Sequence, residues 1–290
     1  MTNAVEVKNL KKYFGKVKAL DGISFEVEKG EVFGFLGPNG AGKTTTIRLM
    51  MDFLRPTEGD IKLLGKDAKE DSVELKKQIG YLSPEDRLYK GWTGQEHVDF
   101  IRSVKGNSHK ADEVAKDLEL DLSRKVWQLS TGNKQKLSIV LSMMSDPDLL
   151  IMDEPTAGLD PILQERIYQM LDKLENEGKT IFMSSHNLAE VEKVCSKVAI
   201  IKEGKLVATE HIADLKHKKM YSVMATFEGD FNSEVFKIEG VEVKDEHKDF
   251  VELVVKSDIN QVVKELSQYK LKDLEIQRAT LEDIFLEFYK

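Results

Sequence analysis

The stretch Val32–Thr45, VFGFLGPNGAGKTT, decides the fold. Its first five residues are apolar on both faces, as a central strand of a parallel sheet requires. Gly37–Thr45 then fits the spacing G-x-x-x-x-G-K-[ST]. Glycines let backbone N–H groups close around phosphate oxygens, and the start of a following helix favours negative charge there. Gly37, Pro38, Asn39, Gly40, Ala41, Gly42, Lys43, Thr44 and Thr45 are therefore the candidate phosphate loop. Lys43 is expected to reach the β- and γ-phosphates, and the Thr44 hydroxyl to ligate Mg²⁺. A glycine-rich turn is the bland alternative. The helix predicted next, with Ile47, Met50, Met51 and Leu54 at i, i+3, i+4 and i+7, weighs against it.

Working outward, Ile23, Phe25 and Val27 alternate as one face of a strand, and Glu58–Asp60 reads as a turn before a strand at Ile61–Leu64. Residues 83–145 read as a helical insert: Thr93 and Glu96 form a capping box, and Leu137, Val140, Leu141 and Met144 form a later helical stripe. Strand and helix then alternate again, with strands at Asp148–Asp153, Thr180–Ser184 and Val198–Ile201. A helix carries Leu163, Ile167, Met170, Leu171 and Leu174, and a hairpin leads into Leu206–Ala208. Such alternation implies a largely parallel sheet covered on both faces. The pattern dissolves into charge from Glu210. Beyond it lie short strands at Tyr221–Phe227, Phe250–Val255 and Asp273–Gln277, with helices carrying Ile259–Leu266 and Leu281–Phe288. The expected organisation is a first domain over 1–210, a linker over 211–219 and a small α+β domain over 220–290.

A second acidic element strengthens the phosphate loop. In DLLIMDEP, four apolar residues lead to Asp153 and Glu154 at a strand's carboxyl end, where open α/β sheets bind ligands. Asp153 is expected to hold Mg²⁺ through water and Glu154 to act as general base for the attacking water. His186 follows the strand TIFMSS at the same sheet edge and is expected to donate to the γ-phosphate and orient the water. A histidine alone is more often structural; its position after a strand decides the reading. The single Cys195 shares a helical stripe with Leu188 and Val191 and reads as core.

The 290 residues suffice for one large domain with a small appendage, and 41% hydrophobic with 32% charged residues suits a globular chain. No apolar run approaches a membrane span, and no apolar signal stretch follows the N-terminus. A net charge of −8 argues against broad nucleic-acid binding.

With these elements in order the chain resembles the ATP-binding cassette (ABC) ATPases over roughly residues 4–210, on GPNGAGKTT, LSTGN, LLIMDEP, AGLDP and SSHNLAEVE. The resemblance implies a phosphate-loop ABC core, mainly parallel with an antiparallel β edge and a helical subdomain, plus a small α+β C-terminal domain. It also accounts for the small-residue turn Ser130-Thr131-Gly132-Asn133 before an apolar helix. In the family this signature binds the γ-phosphate held by a second cassette, so Ser130 and Gly132 act in trans while Lys43 and Thr44 act in cis. By the same resemblance Tyr13 stacks on adenine and Asp160 links the two sites across the dimer. Two departures stand out: Thr131 and Asn133 replace a glycine and a glutamine of the usual signature. Pro84 stands where a glutamine usually senses Mg²⁺ and water, with Glu85 beside it as the possible substitute.

The implied partners are a second cassette and a membrane-spanning permease subunit, with ATP and Mg²⁺ as ligands and no nucleic acid. The implied location is cytoplasmic, at the inner face of the plasma membrane. The segment Tyr89-Lys90-Gly91-Trp92 suits a permease contact, or equally packing inside its own subdomain. The tail RATLEDIFLEFYK resembles the C-terminal domain of drug and antibiotic exporters. The competing class is a soluble ABC ATPase, regulatory or acting on nucleic acid or the ribosome. One cassette, an acidic balance and no heptad insertion disfavour it.

Overall fold

The computed structural model describes residues 3–84, 88–106, 110–217, 220–229 and 231–278. It divides into two compact units between Ile212 and Ala213. The first runs β1 (Asn3–Phe14), β2 (Val17–Glu28), β3 (Val32–Leu36), α1 (Lys43–Met50), β4 (Glu58–Leu63), β5 (Lys66–Asp67), α2 (Ser72–Gln78), β6 (Ile79–Leu82) and α3 (Gly94–Lys105). It continues through α4 (Lys110–Asp117), α5 (Thr131–Met143), β7 (Leu149–Asp153), α6 (Pro161–Asn176), β8 (Thr180–Ser185), α7 (Leu188–Val194), β9 (Lys197–Lys202) and β10 (Lys205–His211).

Six strands form the main sheet in the order β10-β9-β3-β8-β7-β6. All neighbours are parallel except the β9–β10 edge. β3 is interior, and every one of its residues is buried. A separate antiparallel sheet, β2-β1-β4-β5, lies alongside. The two are joined by aromatic packing. Phe25 of β2 stacks at 5.7 Å on Phe33 and 5.8 Å on Phe182, and meets Phe35 at 5.3 Å. Gly34 faces the opposite side, where an added Cβ would come within 2.8 Å of Val191 and 3.0 Å of the Cys195 sulfur. Its lack of a side chain lets α7 approach the sheet. Cys195 is buried there, and burial raises its thiol well above the ordinary value, in keeping with a core residue.

The helical subdomain starts at α3, capped as its sequence predicts: the Thr93 hydroxyl accepts from the Glu96 N–H at 3.1 Å, and the Glu96 carboxylate accepts from the Thr93 N–H at 2.6 Å. Ion pairs tie this subdomain to the core and to α6, namely Glu119–Arg166, Glu113–Lys173 and Lys110–Asp146, each at 2.8 Å.

Several local readings change. Glu58–Asp60 belongs to β4 rather than to a turn, because Glu58 and Asp60 pair with Lys11 and Lys8 of β1. α1 ends at Met50, although Met51 stays in the core. The expected linker contains the end of β10 and a helix, α8 (Ile212–His217).

The second unit holds β11 (Tyr221–Phe227), β12 (Val241–His247), β13 (Phe250–Val255), α9 (Ile259–Leu266) and β14 (Leu271–Arg278), with a fully antiparallel sheet in the order β12-β13-β11-β14. Val262 and Leu266 of α9 pack on Val223, Ala225, Val251 and Leu253. β12 is a mostly exposed, charge-rich edge strand, which hides its alternation in the sequence. The helix expected at Leu281–Phe288 lies outside the described residues.

Candidate functional site

Register brings the predicted chemistry to one edge. β3 pairs in parallel with β8, Leu36 opposite Ser185, and β7 pairs with β8, Asp153 opposite Ser184. The carboxyl ends of three strands far apart in sequence therefore stand side by side. From them leave the phosphate loop, the Asp153-Glu154 pair and His186.

The phosphate loop turns sharply. The Gly37 N–H donates to the Ser185 carbonyl at 3.2 Å, and a Cβ on Gly37 would fall 2.4 Å from the Ile201 carbonyl oxygen. Gly42, with φ +112°, caps α1 with no side-chain hydrogen bond, and the first turn carries no acidic residue. The N–H groups of this helix start are left without a side-chain acceptor, as an anion site requires. Lys43 is only 5% exposed. Its ammonium donates to the Gly37 carbonyl at 2.7 Å and the Pro38 carbonyl at 3.3 Å, and pairs with Glu154 Oε1 at 3.2 Å.

Glu154 is held in left-handed backbone at φ 52°, a conformation that costs a non-glycine residue about 1–3 kcal/mol. Its N–H is secured by the Ser184 hydroxyl at 3.1 Å and the Ser184 carbonyl at 3.2 Å. That turn aims its carboxylate at two cations or donors at once: Lys43 on Oε1, and His186 Nδ1 at 3.0 Å on Oε2. Asp153, one residue earlier, is fully buried. Its Oδ1 accepts the Ser184 hydroxyl at 2.5 Å, and its Oδ2 has no hydrogen-bond partner. A buried carboxylate oxygen without a donor is a group that a hard cation would satisfy.

Ser130 is the N-cap of α5, and its hydroxyl accepts from the Asn133 N–H at 3.3 Å. A Cβ on Gly132 would meet nothing within 4 Å, so the signature turn is open. The helix it starts is tied to the carboxyl edge of the main sheet by Gln135, whose side-chain amide donates to the Pro155 carbonyl at 3.2 Å. Asp160 is exposed and caps α6, accepting from the Leu163 N–H at 3.0 Å. Pro84 is exposed just after β6. Glu85 lies outside the described residues.

Two aromatic readings gain detail. The Tyr13 hydroxyl donates to Asp21 at 2.7 Å, and this bond raises its ionisation above the ordinary phenol value. Its neighbour Phe14, 48% exposed, points to the other face of β1, the one shared with Lys12 and, across the pair, Leu20. Leu20 in turn lies against the phosphate loop, 2.7 Å from where a Gly42 Cβ would stand. Phe14 is the more exposed of the two rings, with the Lys12 ammonium over it at 5.0 Å as that of Lys18 lies over Tyr13 at 5.4 Å, and sequence reading passes over it because a tyrosine stands beside it. Trp92 packs at 4.6 Å on Tyr89, 5.3 Å on His97 and 5.7 Å on Phe100. His97 receives the Tyr89 N–H on Nε2 at 2.9 Å, so its Nδ1 donates to the Thr93 carbonyl at 2.7 Å. The tryptophan is therefore held within its own subdomain while Tyr89, 59% exposed, faces outward.

Comparison with known proteins gives the family. The family described as "ABC transporter" matches residues 20–157, and the "ATP-binding protein DrrA1-3-like, C-terminal domain" matches residues 211–289. The uncharacterized ABC transporter ATP-binding protein YhcH of Bacillus subtilis is 34% identical over 99% of this chain and 96% of its own. The bacitracin transport ATP-binding protein BcrA of Enterococcus faecalis is 35% identical over 82% of this chain and 79% of its own. Among solved structures, an ATP-binding subunit of an ABC transporter superposes with a TM-score of 0.69 at 29% identity, over 74% of this chain and 92% of its own. The cassette MJ0796, a dimer in a post-hydrolysis state bound to ADP and Pi, superposes at 0.64 and 26% identity, over 72% and 98%. Among the described residues no helix is long and apolar enough to cross a membrane. A phosphate loop, a strand-end acid pair and a facing histidine, on a chain matched along nearly its whole length, make this protein a member of the ABC transporter ATP-binding proteins, the subunits that hydrolyse ATP to drive transport.

Proposed function

We propose that this chain powers an exporter of drugs, antibiotics, peptides or lipids, working as one of two cassettes on a separate membrane-spanning permease at the cytoplasmic face of the membrane. The observation that carries the catalytic half is the chain of contacts Lys43–Glu154–His186 at the carboxyl edge of the main sheet. Without nucleotide, the Lys43 ammonium is held by its own loop and by Glu154. Phosphate oxygens of ATP compete for that ammonium, which leaves Glu154 free to take a proton from water. The water oxygen then bonds to the γ-phosphorus as the bond to the β–γ bridging oxygen breaks, and ADP departs with the electron pair. His186, held by Glu154 Oε2, suits donation to the γ-phosphate. The unpaired Oδ2 of Asp153 and the Thr44 hydroxyl fit a Mg²⁺ site, and the bound ion would neutralise charge on the β- and γ-phosphates.

The signature turn at Ser130–Asn133, open and at a helix start, suits the γ-phosphate held by a second cassette. Export rather than import is supported by the likeness to the Nod factor export ATP-binding protein I of Paraburkholderia xenovorans, 35% identical over 71% of this chain and 70% of its own. The outward-facing Tyr89 and Phe100, on the rigid platform built by Trp92 and His97, suit the permease contact. The test is to tag the protein in its native cell, solubilise the membranes gently and identify what co-purifies. A stoichiometric polytopic membrane protein supports the reading. Recovery only from the soluble fraction with nucleic acid or ribosomes attached overturns it. Lys43→Ala should abolish nucleotide binding, and unchanged affinity would remove the phosphate-loop assignment.

A further inference from the structure

Glu190 is the buried carboxylate for which the mechanism above has no use. It sits in the first turn of α7 and is 4% exposed. Enclosing a carboxylate costs several kcal/mol unless it is paired, and burial raises the Glu190 carboxyl above its ordinary range. What it receives in return is specific. Oε2 accepts the Ser185 hydroxyl at 2.5 Å, and Oε1 accepts the Thr156 hydroxyl at 2.5 Å. Neither donor belongs to its own helix. Ser185 is the residue immediately before His186, and Thr156 lies two residues after Glu154. Ser185 Oγ is further fixed by accepting the Asn187 N–H at 2.9 Å, and the Thr156 carbonyl is reached by the Gln164 amide at 3.4 Å.

We infer that Glu190 is a positioning residue for ATP hydrolysis: one carboxylate clamps together the two loops that carry Glu154 and His186, and so sets the distance and angle between base and histidine. This rests on the roles assigned above to those two side chains. The geometry favours a clamp over a helix-stabilising role for two reasons. A carboxylate in the first turn of a helix could answer the helix N–H groups, yet the Asn187 side chain is the N-cap here and accepts from Ala189 at 3.0 Å. Both Glu190 oxygens point instead across the strand ends of β7 and β8, one to each of the two loops. Glu154 and His186 touch at 3.0 Å, with His186 half exposed, so their contact needs support from behind. Charge-assisted O–H···O⁻ bonds at this length are the strong kind. A misplacement of about 1 Å at a reacting group is enough to cost on the order of a hundredfold in rate.

The full-length protein and its Glu190→Ala, Glu190→Gln, Thr156→Val, Ser185→Ala and Glu190→Ala/Thr156→Val variants should be compared in steady-state Mg-ATP hydrolysis. Binding of a fluorescent ADP analogue and thermal unfolding are followed alongside, with Glu154→Gln as the control. Glu190→Ala is expected to lower kcat by about tenfold or more, while KM and analogue affinity move by no more than about threefold. Glu190→Gln, which retains the length and one acceptor oxygen, should recover part of the loss. Thr156→Val should lower kcat in the native background and add little once Glu190 is gone, as expected of two residues acting through one bond. If Glu190→Ala does not fold, Thr156→Val and Ser185→Ala, which remove only the hydroxyl bonds, carry the same kcat-without-KM expectation. The clamp is refuted by a folded Glu190→Ala at the native kcat, by additive losses in the double variant, or by kcat and affinity falling together. A Glu154→Gln control that hydrolyses at the native rate would overturn the assignment of the base, and this inference with it. An inert control beside a fully active Glu190→Ala would overturn the clamp alone.

Discussion

Replacing Glu154 with glutamine separates chemistry from architecture at this site. The amide keeps the length of the side chain and the left-handed turn at φ 52°, which the Ser184 bonds to the Glu154 N–H hold independently of the carboxylate. What is lost is one charge-assisted contact to Lys43 at 3.2 Å and one to His186 at 3.0 Å. Such a bond is worth about 1.5–3 kcal/mol when its partner is left bare. Lys43 is not left bare, because it retains the Gly37 and Pro38 carbonyls, and Glu154 is 22% exposed, so water can answer His186. The stability cost should therefore fall at or below the lower end of that range. Losing the general base, by contrast, should slow hydrolysis by about 10²–10⁴-fold, or about 3–5 kcal/mol of barrier. The greater cost falls on the chemical step, so the variant should fold, bind ATP and fail to turn it over. Removing a negative charge beside the γ-phosphate, and a competitor for Lys43, should leave ATP affinity equal or tighter. Phosphate release and light scattering with Mg-ATP check both halves, the second expected to show an accumulated dimer. A folded variant hydrolysing within about threefold of the native rate would refute the reasoning, since no base assignment survives so small a change.

Phe14→Ala should weaken binding of a fluorescent ATP analogue more than Tyr13→Ala does; the reverse result would make Tyr13 the adenine platform. Gly42→Ala would place a Cβ 2.7 Å from Leu20 and 2.8 Å from the Ala19 carbonyl oxygen at φ +112°. The backbone strain alone is about 1–3 kcal/mol, so calorimetry should show a lowered Tm together with lost nucleotide affinity. On acidification, Glu113, Glu119 and Asp146, whose carboxyls are held below their ordinary values by hydrogen bonds from Lys173, Arg166 and Lys110, should each lose their contribution. That stability is fully present above the ordinary carboxylate value of about 4 and disappears as pH falls through the lower folded-state values. Melting curves followed from neutral pH to pH about 3 should decline in that window, and a flat profile would show that these ion pairs contribute nothing.

The parts of this protein legible in the sequence are those fixed by local rules. The VFGFL strand, the GPNGAGKTT loop, the Thr93–Glu96 cap and the acid pair ending DLLIMDEP each state their conformation within a few residues, because backbone hydrogen bonding, glycine freedom and side-chain periodicity act at short range. Where those signals weaken, reading fails: β12 has few apolar residues to alternate, and Glu58–Asp60 looks like a turn until β1 supplies partners for it. Sequence order also cannot say which strand ends are neighbours. The order β3-β8-β7 brings Lys43, Glu154 and His186 into contact, although no two of these strands are consecutive among the chain's strands except β7 and β8. Tertiary structure alone decided that Lys43 rests on Glu154, that the Phe14 ring is more exposed than Tyr13, and that Glu190 holds two loops through Ser185 and Thr156. The chain by itself determined which chemical groups this protein owns. Their distances came from sheet register and burial, which sum contacts between residues far apart and so are written in no single stretch.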